Sequence, residues 1–256
     1  MKIISRTALV IISAFILSSC TGVPVKPTVP QTSLPPHPVS TIPQMPGQVI
    51  RHDVVHVVAP GETVWRISRM YDVSMDDIVR ANNLSSAGEI FKGQRLNIPR
   101  AAPIKPVVTL YPSKKWKYII IHHSATEEGN ALGFDRSHEQ RGFTNGLGYD
   151  FVIDNGTQGK PDGNIETSPR WIKQQDGAHC RADSMNCRAI GICLVGNFDK
   201  ERVSKKQMDS LVYLVKLLQK YYKIPADHIM GHGQVRGANT HCPGKNFPWN
   251  EFRSKI

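Results

Sequence analysis

Three shortages frame this chain. No apolar run is long enough to cross a bilayer: the longest candidate, Ala8–Leu17, falls well short of the ~20 residues that a spanning helix needs. Cysteine is scarce, five residues in 256, which excludes a small disulfide-stapled scaffold. Acidic residues are outnumbered by basic ones, 21 against 32, for a net charge of +11. That balance favours an acidic partner or surface, such as an anionic wall polymer or lipid headgroups. The basic residues are scattered, with only short pairs such as Lys114–Lys115 and Lys205–Lys206. With no basic helix and no zinc-finger spacing, nucleic acid is not an expected partner. Wholesale disorder is excluded as well, because 40% of residues are hydrophobic and 21% charged, an ordinary balance for a packed core.

What is present begins with an address. Lys2 and Arg6 precede the short apolar run, the shape of a secretory leader over residues 1–19. It ends in Leu-Ser-Ser-Cys, which resembles a bacterial lipobox and implies lipidation at Cys20; the alternative is an ordinary leader with an incidental cysteine. Thr21 follows where an Asp would favour the inner membrane, so resemblance to Gram-negative lipoproteins implies an outer-membrane anchor facing the periplasm. Residues 21–50 hold eight prolines, which lock φ and remove amide donors, so residues 20–52 are expected to form an extended tether. Of the other cysteines, Cys180 and Cys187 flank a short polar loop where pairing is open in an oxidising compartment. Cys193 reads as a small hydrophobe inside a strand.

Residues 53–99 form a first unit. A strand at His56–Val58 meets a Pro60-Gly61 turn, and Thr63 is placed to cap a helix carrying Val64, Ile67, Ser68 and Tyr71 at helical spacing. A second helix is expected over Asp76–Asn82 and a returning strand over Leu96–Ile98. This β-α-α-β order, with "PGETVWRIS", "ANNL" and "KGQRLNIP", resembles a LysM module. The resemblance implies binding to glycans containing N-acetylglucosamine, such as peptidoglycan, with a role in raising local concentration. Residues 100–112, opening on "RAAPIKP", are expected to be a second, shorter tether.

Residues 113–256 read as an α/β domain, a central mixed β-sheet flanked by helices. Strands are expected at Trp116–His122, Tyr149–Ile153 and Ala189–Val195, with a turn of the Asn-Gly hairpin type near Asp154–Gly156. Ser204 with Gln207 makes a capping box for a helix whose apolar face is Met208, Leu211, Val212, Val215, Leu218 and Tyr221, ending before Pro225.

The first strand, "YIIIHHSAT", ends on two histidines that project to opposite faces, so at most one serves a given site. Far along the chain, "MGHGQVRGANTHCPG" presents His232 after a short strand and Cys242 after a glycine-rich loop. Two imidazoles and a thiolate suit Zn²⁺, and three protein ligands leave a fourth position open. The residues alone leave their convergence undecided.

"YIIIHHSAT", "GLGYDFVIDNG", "GAHC", "AIGICLVGNF" and "GH…THCPG" together resemble the amidase domain shared by zinc-dependent N-acetylmuramoyl-L-alanine amidases and peptidoglycan recognition proteins. The resemblance implies His122, His232 and Cys242 as zinc ligands, with His123 a structural or groove residue. It implies Tyr149 and Thr240 as groups acting beside the metal, in the branch of the family that uses a tyrosine where another branch has a glutamate at the position of Cys193. Trp171 and His179 are implied to line the substrate groove. One departure stands out: Asp150 follows the tyrosine where the family usually has histidine. The implied reaction is hydrolysis of the amide joining N-acetylmuramic acid to L-alanine in peptidoglycan. The alternative is a non-catalytic binder, a class in which the ligand cysteine is often serine.

Overall fold

The computed structural model describes residues 49–256. The leader, Cys20 and the tether up to residue 48 lie outside the described residues. Capping side chains start the first helices. Strand β1 (His52–Val57) is followed by α1 (Val64–Tyr71), where the Thr63 hydroxyl accepts the Arg66 N–H, and by α2 (Met75–Ala81), where Ser74 does the same for Asp77. Strand β2 (Arg95–Ala101) returns antiparallel to β1. The first strand starts four residues earlier than expected and ends one residue sooner, and the second extends past both expected bounds. Val64, Ile67, Met70, Ile78, Leu96 and Ile98 are buried together as a small core.

The larger domain follows as β3 (Tyr118–His123), α3 (Ala131–Gln140), β4 (Phe151–Ile153), β5 (Ile165–Thr167), α4 (Pro169–Ile172), α5 (Met185–Arg188), β6 (Ala189–Leu194), α6 (Lys205–Tyr222), β7 (Ile229–Gly231) and α7 (Trp249–Arg253). The sheet runs β5-β4-β6-β3-β7, with β5 antiparallel to β4 and the other neighbours parallel. It is therefore mixed, as expected. Strand alternation divides its two faces. Ile119, Ile121, Ile190, Ile192 and Leu194 bury against Met208, Leu211, Leu214, Val215 and Leu218 of α6. Ile120 joins Cys180, Met185, Ala189 and Val235 in a separate cluster, on the face to which His122 also points. The Asp154–Gly156 signal is a bend, with Gly156 at φ 89°, and β4 and β5 are joined by residues 154–164 rather than by a two-residue hairpin.

The short tether expected after β2 is not loose. Ala102 N–H donates to Tyr71 O and Lys105 N–H to Met70 O, both at 2.9 Å, and Val107 O accepts from Arg66 Nη1. The described residues accordingly form one compact unit. Two buried cations bridge its halves in opposite directions. Arg66 of α1 reaches Ile165 O in β5 at 2.9 Å. Lys160, from the β4–β5 connection, reaches back to Val57 O at 2.9 Å and pairs with Glu166 at 3.0 Å. Glu62 faces the same cluster, accepting from Ala59 N–H and contacting His56 Nε2 at 2.8 Å. Burial pushes the Glu62 carboxyl up, yet His56, Lys160 and the Ala59 amide outweigh it and hold it down to about 2. Further out, Lys92 binds Asp135 of α3 at 2.8 Å.

Candidate metal centre

Parallel register brings the site together. His122, the penultimate residue of β3, lies opposite Cys193 of β6, and β7 ends beside β3 so that His232 follows directly from Gly231. The chain then returns through a turn in which Gly233 N–H donates to Cys242 O at 2.8 Å. A Cβ on Gly233 would overlap Thr240 O, which explains glycine there. The ligand atoms of His122, His232 and Cys242 all lie within 4.8 Å of one another.

The donor set passes a simple test for zinc. A tetrahedral ion with bonds of about 2.0 Å to nitrogen and about 2.3 Å to sulfur sets those two atoms about 3.5 Å apart. His122 Nδ1 and Cys242 Sγ are separated by 3.6 Å. Burial pushes the Cys242 thiol up to about 12, so taking up a cation would release its proton. The His123 backbone N–H points at the sulfur from 3.4 Å, a donor that steadies a thiolate. Burial holds His122 well below the usual imidazole range and lowers His232 as well, leaving both rings unprotonated and able to ligate.

Around these atoms an open cleft is lined by Tyr149, Thr240, His123, His138, Arg141 and Phe143 among others. The Tyr149 ring lies 5.2 Å from that of His122. Burial, then the neighbouring Cys193 and Cys242, raise its hydroxyl well above 10, so it remains a proton donor. Cys193 was expected to be core and is fully buried, and it also neighbours that hydroxyl. The Thr240 hydroxyl accepts the Cys242 N–H at 3.2 Å.

Of the two residues expected to line the groove, Trp171 is placed elsewhere and His179 is not. Trp171 is fully buried on the α6 side of the sheet, stacked on Trp116 at 5.9 Å, with its indole N–H donating to Thr109 O. It offers no face to a substrate. His179 borders the cleft, but its side chain is 0% exposed, and its Nδ1 meets His122 Nε2 at 3.1 Å. His123 also borders the cleft, and its Nδ1 accepts the Phe198 N–H at 3.2 Å, tying β3 to the loop beyond β6. Asp150, the departure from the usual histidine, is fully buried; its Oδ2 accepts the Gly191 N–H at 2.8 Å and burial raises it to about 7. Cys180 and Cys187 are unpaired, the first turned into the Ile120 cluster and the second exposed beside Asp176.

Sequence reasoning missed His138, Arg141 and Phe143. His138 Nδ1 accepts the Gly148 N–H at 2.9 Å, and its ring lies 5.6 Å from that of Tyr149. The available signal was Asn130, whose side chain caps α3 by accepting the Gly133 N–H.

Two family models match the chain. The N-acetylmuramoyl-L-alanine amidase model covers residues 112–245 and the LysM domain model covers residues 56–99. Peptidoglycan-recognition protein LB of Drosophila melanogaster is 32% identical over 137 residues, 50% of this chain and 54% of that protein. Peptidoglycan-recognition protein 2 of Holotrichia diomphalia is 31% identical over 108 residues, 39% of this chain and 52% of that protein. The chain thus spans about half the length of these two relatives. Among solved structures, the N-acetylmuramoyl-L-alanine amidase LysC from Clostridium intestinale is similar at 34% identity with a TM-score of 0.47, covering 59% of this chain and 96% of that one.

Proposed function

Because the chain belongs to the N-acetylmuramoyl-L-alanine amidase family, we propose that it hydrolyses the amide between N-acetylmuramic acid and L-alanine in peptidoglycan, using zinc held by His122, His232 and Cys242. The observation that carries this reading is the convergence of those three ligand atoms beside an open cleft. Zinc bound there supplies Lewis acidity, polarising the scissile carbonyl and acidifying a water.

The protein's own groups do the rest. Tyr149, kept protonated by its surroundings, donates a hydrogen bond to the oxygen that gains charge, and orients rather than abstracts a proton. The Thr240 oxygen is anchored by the Cys242 N–H, which leaves its hydroxyl proton free to donate to the same oxygen. Arg141, exposed at the rim, adds positive charge toward an acidic stem peptide. The LysM domain binds the glycan, and lipidation of Cys20 anchors the protein to the outer membrane, facing the periplasm.

Purified protein incubated with muropeptides and read by mass spectrometry tests the reaction. Free stem peptides beginning with L-alanine are expected, and their release should stop after chelation and in Cys242→Ser. Intact muropeptides after long incubation would leave the non-catalytic binder as the better reading. The anchor has its own check: labelled palmitate should be incorporated by the wild type and not by Cys20→Ala, and equal labelling would remove the anchor.

A further inference from the structure

His179 does more than border the cleft. Its ring is held in a slot the backbone reserves for it. A Cβ on Gly191 would lie 2.5 Å from His179 Cδ2, and a Cβ on Gly177 would strike the same edge. The loop that carries it is clipped by one side chain, as Asn186 Oδ1 accepts both the His179 and the Cys180 N–H at 2.8 and 2.7 Å. Gly177 N–H donates to Asn186 O at 2.8 Å, closing the clip.

The partners of the ring determine where its proton sits. His179 Nε2 lies 3.3 Å from Ala189 O, and a carbonyl oxygen only accepts, so Nε2 carries the hydrogen. The nearest carboxylate oxygen, Asp150 Oδ2, is 3.9 Å away, too far for a hydrogen bond, and already accepts from Gly191. A fully buried ring without a hydrogen-bonded carboxylate is neutral, so Nδ1 presents a lone pair. That lone pair faces His122 Nε2 at 3.1 Å. His122 must therefore donate from Nε2, which leaves Nδ1 bare and turned toward Cys242 Sγ, 3.6 Å away.

We infer that His179 is a positioning residue for the metal site, holding His122 in the Nε2–H tautomer with Nδ1 aimed at the position between Cys242 and His232. This rests on the zinc reading above for its purpose, but not for its geometry. Metal-ligating histidines generally give their second N–H to a carboxylate, carbonyl or water; here a second imidazole takes that place and is itself fixed by a backbone carbonyl.

The test pairs two substitutions with two readouts. Asn at position 179 keeps an acceptor where Nδ1 was, whereas Leu fills the slot without one. Nitrogen-15 NMR of the imidazoles in metal-free protein should show His122 as a single Nε2–H tautomer in the wild type and in His179→Asn, and as a mixture in His179→Leu. Zinc titrated against a chromophoric chelator should bind about 10–100-fold more weakly to His179→Leu, with His179→Asn within about threefold of wild type. Gly191→Ala, which displaces the ring without altering it, should behave like His179→Leu. A wild-type His122 protonated on Nδ1 would overturn the inference. So would equal zinc binding in all variants, or an Asn variant as weak as the Leu variant, which would reduce the ring to packing. The nitrogen spectra need neither metal nor turnover, so failure of the hydrolase reading would leave this result standing on its own.

Discussion

His138 is a small case of a side chain whose charge state decides what its neighbours do. Burial lowers it to about 4, and its unprotonated Nδ1 accepts the Gly148 N–H one residue before Tyr149. Its ordinary value is 6.5, so between those two values the unfolded chain binds a proton that the folded chain refuses. The contribution is complete above pH 6.5 and is lost as pH falls toward about 4. The shift converts to roughly 1–2 kcal/mol once solvent screening at the cleft edge is allowed for. Chemical denaturation across that pH interval should show His138→Gln losing about 1–2 kcal/mol less than the wild type, and parallel curves would refute the assignment. At this scale the ligands were readable, because His122, His232 and Cys242 sit in quoted motifs. The work of His179 was not, because it depends on two glycines, one on either side of it in sequence, leaving room for a ring.

Among the elements, α6 was the most readable. Its start rests on a reciprocal pair: the Ser204 hydroxyl accepts the Gln207 N–H and the Gln207 side chain accepts the Ser204 N–H. The Ser204 hydroxyl also donates to Asp162 at 2.7 Å, which joins the helix start to the β4–β5 connection. Ser204→Ala should therefore cost about 1–2 kcal/mol, at the upper end for a cap, measured from denaturation midpoints; a loss of a few tenths would show that water replaces the cap. The apolar stripe places Met208, Leu211, Val215 and Leu218 inward as read, but Leu214, outside the expected stripe, is buried as well, and Tyr221, inside it, is 42% exposed. Helix α3 escaped the reading because its inward residues include Asp135 and His138, which no apolar period reveals. Both are satisfied from outside the helix, Asp135 by Lys92 and the Leu147 N–H, His138 by the Gly148 N–H. Proline content likewise predicted an extended segment after β2 without showing what it lies against.

At the largest scale, the described residues are knit together by the Lys160 cluster. Lys160 is nearly buried, pairs with Glu166 and donates to Val57 O across the two halves. Glu166 in turn accepts the Ala131 N–H at the start of α3, the helix that carries His138 to the cleft. Removing one partner of a buried ion pair strands the other, so Lys160→Met should destabilise by about 3–5 kcal/mol. Calorimetry should show one unfolding transition in the wild type and two in the variant, as the halves lose their common fastening. Two transitions in the wild type would mean that the halves do not depend on each other. A tether lets a bound module wander, but a body pinned by Arg66 and Lys160 behaves like a caliper whose jaws keep one gap. Under the proposed function, a stem released from a strand held by the first domain would stand at one fixed offset from the gripped sugar.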